Sequence, residues 1–202
     1  MIMRYSESKL PTANGEFRVV VYRTGGESGP GGTAVGAGPE EHVAMVLGDV
    51  SGDAVLTRVH SSCFTGEVLG SLRCDCRAQL DAALARIGVE GRGVVVYLVQ
   101  EGRGIGLGNK VRAYQLQDDG ADTVDANLAL GFDADHRTYD LAAGILRDLG
   151  IASVRLMTNN PDKIAGLESA GVVVTPEPHW VAATEHSASY LDVKKSKLGH
   201  IA

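Results

Sequence analysis

The run Gly93–Val99, GVVVYLV, constrains the fold more than any other segment. It is short, continuously apolar and rich in β-branched residues, which marks a strand buried on both faces and therefore a sheet covered on both sides. A second such strand is predicted at Ser153–Met157, and Val172–Val174 closes the pattern. Helical periodicity lies around them. Leu80, Ala83, Leu84 and Ile87 recur at spacings of three and four after Asp75, with Gly88 placed to stop that helix. Leu107–Leu116, Tyr139–Leu149 and a segment from Pro161 to near Ala170 also read as helices. Earlier strands are expected at Phe17–Tyr22, His42–Leu47 and Ala54–His60, adding an antiparallel portion. The expected fold is therefore α/β, a mixed β-sheet flanked by helices.

With 202 residues and 44% hydrophobic content, the chain is expected to form one domain over residues 1–202. A stretch at about residues 24–39 holds seven glycines and few large side chains, and is expected to be a flexible loop. No apolar run reaches the roughly 18 residues of a membrane span, and MIMRYSESKLPTANG lacks a signal-peptide core. Three cysteines, with a C-x-C pair, suit a reducing compartment, so a cytoplasmic location without a membrane partner is expected. The net charge of −6 argues against general nucleic-acid binding. Between Arg58 and Arg112, however, eight basic residues face five acidic ones, a balance suited to a small polyanion or to a solvated helix face.

All three cysteines, Cys63, Cys74 and Cys76, fall within RVHSSCFTGEVLGSLRCDC. Thiolates select zinc or a similar ion, and three ligands leave a tetrahedral ion one open position. His60 is a candidate to close the site as Cys₃His, and core cysteines or a redox pair are further readings. The C-x-C pair is predicted at a helix N-terminus, which favours thiolates. Arg73 or Arg58 could offset the formal −1 charge of zinc on three thiolates.

The segment Gln100–Lys110 carries alternating Gly102, Gly104, Gly106 and Gly108, matching neither dinucleotide-binding nor P-loop patterns. Its backbone could still approach an anion, with Arg103 and Lys110 adding charge, or it could be a plain mobile loop. In GFDADHRTYDL, Asp133, Asp135, His136 and Arg137 crowd a turn where helix capping is the default reading. Asp135 could instead act as a base and Arg137 meet a phosphate. Thr158 and Lys163 could reach a phosphate near a helix start or simply cap and solvate it. His179, His186 and His200 show no metal spacing and read as surface or packing residues.

Taken together, RVHSSCFTGEVLGSLRCDCRAQL, QEGRGIGLGNKVRAYQLQDDG, ANLALGFDADHR and LMTNNPDK resemble the GTP cyclohydrolase II family of riboflavin biosynthesis. KLPT, EHVAMVLGD and KKSKLGHI extend the likeness from about Leu10 to Ile201. The resemblance implies a hydrolase that opens the imidazole ring of GTP, releasing formate and pyrophosphate and leaving 2,5-diamino-6-ribosylamino-4(3H)-pyrimidinone 5′-phosphate. It further implies zinc, magnesium and a homodimer. By the same likeness Cys63, Cys74 and Cys76 hold zinc, while Arg58, Val59, His60, Ser61, Ser62, Gln79, Glu101, Gly102, Arg103, Thr123, Thr158 and Lys163 bind GTP. Asp135 matches a proton acceptor and Tyr114 a tyrosine implicated in the ring chemistry. Arg137 matches a nucleophile at the α-phosphate, with electrostatic stabilisation as its rival role. The sequence departs from the family pattern at four places. Ser62 stands where Glu is usual, Glu67 for Asp, Arg77 for Gly and Gly108 for Leu.

Overall fold

A computed structural model of the chain describes residues 2–24, 40–120, 126, 128–132 and 137–182. Strands β1 (Ile2–Thr12), β2 (Gly15–Thr24), β3 (Glu40–Leu47) and β4 (Val55–Ser61) come first. A single-turn helix α1 (Phe64–Glu67) and the long α2 (Cys76–Glu90) then lead into β5 (Gly93–Leu98). A 3₁₀ turn at Glu101–Gly104 runs into α3 (Gly106–Asp118). The chain closes with α4 (Asp140–Asp148), β6 (Ser153–Met157), α5 (Pro161–Ser169) and β7 (Val173–Glu177).

The strands form one mixed seven-stranded sheet in the order β1-β2-β3-β5-β4-β6-β7. Pairings from β1 to β5 are antiparallel, and those joining β5, β4, β6 and β7 are parallel. The direction therefore changes at β5, whose two neighbours run opposite ways. Period-two alternation sends its Val94, Val96 and Leu98 into the larger apolar cluster, shared with Ala142, Ile145 and Leu146 of α4 and Leu167 of α5. Val95 faces the other way, into a cluster with Leu56, Met157 and the α2 residues Ala83 and Ile87. Burial on both faces explains the unbroken apolar run, because each alternate residue meets a helix layer.

Two details differ from the sequence reading. Gly88 lies inside α2, which ends at Gly91 in the left-handed conformation (φ 73°), donating to the Ile87 carbonyl. Gly88 is small because a Cβ there would stand 2.5 Å from the Asn14 carbonyl oxygen in the β1–β2 turn. Strand β1 was not foreseen. Its side chains are mostly exposed, so it shows little apolar alternation, and charged residues suit it to a sheet edge. It is tied to α4 through Asp148, which accepts from Arg4 Nε at 2.9 Å and from the buried Tyr22 hydroxyl at 2.7 Å. The Gly-rich stretch expected to be a flexible loop at residues 24–39 lies outside the described residues beyond Thr24, which ends β2.

Candidate active site

Sequence-predicted site residues gather at the carboxyl ends of β4, β5 and β6, where ligands bind in open parallel sheets. The chain leaves β4 through Ser61, Ser62 and Cys63, and α1 begins at the next residue. Cys74 follows in a turn, and Cys76 opens α2. The three sulphurs lie within 4.8 Å of one another, with Cys63 Sγ 3.5 Å from Cys74 Sγ. A tetrahedral ion with Zn–S bonds of about 2.3 Å requires sulphurs about 3.8 Å apart, so the donor set fits zinc. Gly66 makes the approach possible, since a Cβ there would meet Cys74 Sγ at 3.0 Å and Cys63 Sγ at 3.3 Å.

The electrostatics point the same way. Hydrogen bonds from the Cys74 and Cys76 thiols hold Cys63 far below the usual thiol range against the cost of burial, and Lys110 adds to the effect. Cys74 and Cys76 are pushed up, chiefly by the same hydrogen bonds to Cys63. Three thiols this close compete for protons, a conflict that a divalent cation removes by replacing them.

Among the described residues, His60 stands outside the metal-ligating cluster. Its Nε2 lies 2.8 Å from Glu67 Oε1, while the Tyr97 hydroxyl donates to Glu67 Oε2 at 2.6 Å. The His60 and Tyr97 rings stack at 5.7 Å. Burial lowers the His60 pKa, with the Glu67 hydrogen bond opposing it. Sequence spacing held no signal for this trio, because β4, α1 and β5 supply one member each.

Arg58 is buried and donates to the Met157 carbonyl at 2.7 Å and to Gln79 Oε1. Burial pulls its pKa down to about 10, with the Cys76 and Asp75 charges opposing. The Gln79 amide also donates to Asp75, joining α2 to its own first residues. Val59 contributes through its backbone: its side chain is in the core and its carbonyl accepts from the buried Lys163 Nζ at 2.7 Å. Thr158 Oγ1 accepts from the Asn160 backbone at 3.1 Å, forming the turn into α5. Among the described residues, the buried Arg58 Nε, His60 Nδ1, Ser61 Oγ and Ser62 Oγ have no hydrogen-bond partner.

In the 3₁₀ turn both Gly102 and Arg103 adopt positive φ, near 62°. The turn is therefore tightly specified at Gly102, and α3 starts earlier than the alternating glycines suggest. Glu101 accepts from the backbone of Phe64 at 2.6 Å and from Lys110 at 2.7 Å. Tyr114 of α3 reaches the metal region through Thr65, whose hydroxyl is 3.3 Å from the Tyr114 hydroxyl and 3.7 Å from Cys63 Sγ. Among the described residues, the cation hydrogen-bonded to a sulphur is Lys110; Arg58 is near enough to feel the Cys76 charge, whereas Arg73 pairs with Asp118 and lies 4.8 Å from the Tyr114 ring centroid. Arg137 is close enough to Arg58 for the two charges to repel. His179 is a buried packing residue, its ring at 2.8 Å from the Gln79 carbonyl. Thr123, Asp133, Asp135, His136, His186 and His200 lie outside the described residues.

A mixed sheet that collects three thiols and several buried polar groups at its parallel strand ends defines the class: an α/β protein with a three-thiol cluster able to hold a metal ion. The chain belongs to the GTP cyclohydrolase II family, whose model matches residues 3–178. The GTP cyclohydrolase-2 of Saccharophagus degradans is 50% identical over 204 residues, covering 100% of this chain and 96% of that protein. The riboflavin biosynthesis protein RibBA of Chlorobium phaeovibrioides is 50% identical, and that of Bacillus cereus 51%, each over 203 residues and 100% of this chain. The chain spans about half the length of these RibBA relatives, 47% and 48% respectively. Among solved structures, RibBX, a two-domain 3,4-dihydroxy-2-butanone 4-phosphate synthase from A. baumannii, is 20% identical at a TM-score of 0.44, covering 87% of this chain and 40% of its own. Among the described residues, no helix is long and apolar enough to cross a membrane.

Proposed function

We propose that this protein is a zinc-dependent GTP cyclohydrolase II that opens the imidazole ring of GTP and releases formate and pyrophosphate. Ring opening and formate release need two hydrolyses, at C8 of the purine and at the resulting formamide, and zinc on the three sulphurs would supply Lewis-acid activation of water for both; release of pyrophosphate takes a third water, at the α-phosphate. One juxtaposition carries the reading. The first of the clustered cysteines directly follows a segment whose Arg58 Nε, His60 Nδ1, Ser61 Oγ and Ser62 Oγ are buried atoms without a partner among the described residues. Leaving such a group unsatisfied costs about 1–3 kcal/mol, so a polar ligand at this place is stabilised by meeting them.

On this reading Cys63, Cys74 and Cys76 hold the ion, the β4, β5 and β6 ends cradle the nucleotide, and Tyr114 serves the ring chemistry beside the metal. Asp135 takes up a proton, and Arg137 acts at the α-phosphate. Arg58 and Arg137 lie close enough to feel one another's charge, a pairing of cations that suits a polyanionic ligand. The finer assignment includes magnesium, which neutralises the oxygens of departing pyrophosphate, and a single-domain chain acting as a cytoplasmic homodimer.

The test is mass spectrometry of GTP incubated with the zinc- and magnesium-loaded protein, with formate and pyrophosphate quantified. Equal amounts of both, with the deformylated pyrimidine, are expected; unaltered GTP sinks the proposal. A second reading is favoured by Ser62, a buried hydroxyl without a partner among the described residues, where the family usually carries Glu. If that missing carboxylate is needed for the second hydrolysis, the product retains its formyl group and formate is absent.

A further inference from the structure

The Lys110 ammonium has one of the most constrained positions near the sulphurs. Its Nζ lies 3.1 Å from Cys63 Sγ and 2.7 Å from Glu101 Oε1, with the two side chains only 14% and 12% exposed. Glu101 is itself fixed, since Oε2 accepts from the Phe64 backbone at 2.6 Å and Oε1 from the Gly102 backbone at 3.0 Å. The left-handed Gly102 gives Lys110 its room, because a Cβ at that glycine would come within 3.1 Å of Lys110 Cβ. The Tyr114 ring closes another side, its centroid 5.8 Å from Nζ.

An ammonium gripped by a carboxylate on one side presents its remaining protons on the other, and there it meets a sulphur. Zinc on three thiolates carries a formal charge of −1, and electron donation from sulphur blunts its Lewis acidity. A charge-assisted N–H···S hydrogen bond draws density away from that sulphur and places a positive charge beside the anionic centre. Glu101 cancels the charge of Lys110 at long range. At Cys63 the ammonium is the nearer member of the pair, so its sign prevails.

We infer that Lys110 tunes the metal centre through Cys63, as a positioning residue that donates to the coordinated thiolate while Glu101 and Gly102 hold it in place. The inference rests on the three-sulphur metal site proposed above. It assigns Glu101 a role in building the centre, beyond the nucleotide contact implied by family likeness.

Cobalt(II) substitution provides a readout independent of turnover, because sulphur-to-cobalt charge transfer reports directly on the thiolates. In the full-length protein, Lys110→Met is expected to move that absorption band to longer wavelength. It is also expected to weaken zinc binding about 10- to 100-fold in competition with a chromophoric chelator. Lys110→Arg, which keeps a charged donor, should restore much of both. Lys110→Gln, a weaker neutral donor, should give an intermediate shift and serves if Lys110→Met does not fold. A band at wild-type wavelength in a folded Lys110→Met or Lys110→Gln protein overturns the inference. If the wild type itself shows no such band, or Cys74→Ser keeps it unchanged, the metal reading fails instead.

Discussion

The two halves of the sheet are built from similar strands but carry different burdens. In the antiparallel half, β1, β2 and β3 run from hairpin to edge, and β1 is largely exposed. In the parallel half, β4, β5 and β6 end together, and from those ends come the clustered cysteines, the Glu101 turn and the Thr158–Lys163 turn. Parallel strands must be joined by crossovers, so the loops at their carboxyl ends all lie on one side, and chemistry can be assembled there from distant parts of the chain. An antiparallel meander alternates its loops between opposite ends and offers no such convergence.

The largest effect that tests this division is expected from Cys74→Ser. Removing one of three ligands should abolish ring opening and zinc retention while GTP binding stays measurable by calorimetry, and full activity in that variant would contradict the site. Next comes Gly88→Ala, where the two halves touch. The added Cβ would stand 2.5 Å from the Asn14 carbonyl oxygen, an overpacking cost of about 1–3 kcal/mol that outweighs the helix-propensity gain of about 1 kcal/mol. A lower urea midpoint is expected, and an unchanged or higher one would show that the hairpin yields freely.

His179 gives a pH-dependent test of the parallel side. Burial, then the Arg58 charge, lower its pKa from 6.5 to about 4, so the unfolded chain binds the proton more readily than the folded one. The sign follows directly: this contribution to stability is full above pH 6.5 and is lost as the pH falls toward 4. Replacing His179 with Gln should flatten the acid side of a melting-temperature profile between those values. The smallest effect is expected at the far edge. Lys9 pairs with Glu16 at 3.0 Å while 80% exposed, and Lys9→Ala should move Tm by less than about 2 °C.

The same contrast explains what could be read from sequence. Strand β5 was legible because burial on both faces leaves an unbroken apolar run, and β6 coincided with the predicted Ser153–Met157. Strand β1 was not, since its side chains face solvent and its pairing with β2 is a backbone matter. The end of α2 was misplaced at Gly88 because a stop signal and a close contact both call for glycine. In the site, the cysteines were legible by clustering alone. Lys110, by contrast, is 47 residues from Cys63 in sequence, and only the return of α3 past α1 brings its ammonium to the sulphur. The His60–Glu67–Tyr97 trio was hidden for the same reason: a cross-strand neighbour leaves no mark in linear spacing.

Helix α2 joins the two halves like a strut with a stop at each end. Its first residue is Cys76 of the sulphur cluster, and twelve residues on, roughly 18 Å along the axis, Gly88 rests against the β1–β2 turn. The hairpin tip is therefore a handle on the far side of the molecule. A push on that tip is carried lengthwise to the first turn of the helix, where the sulphurs cluster.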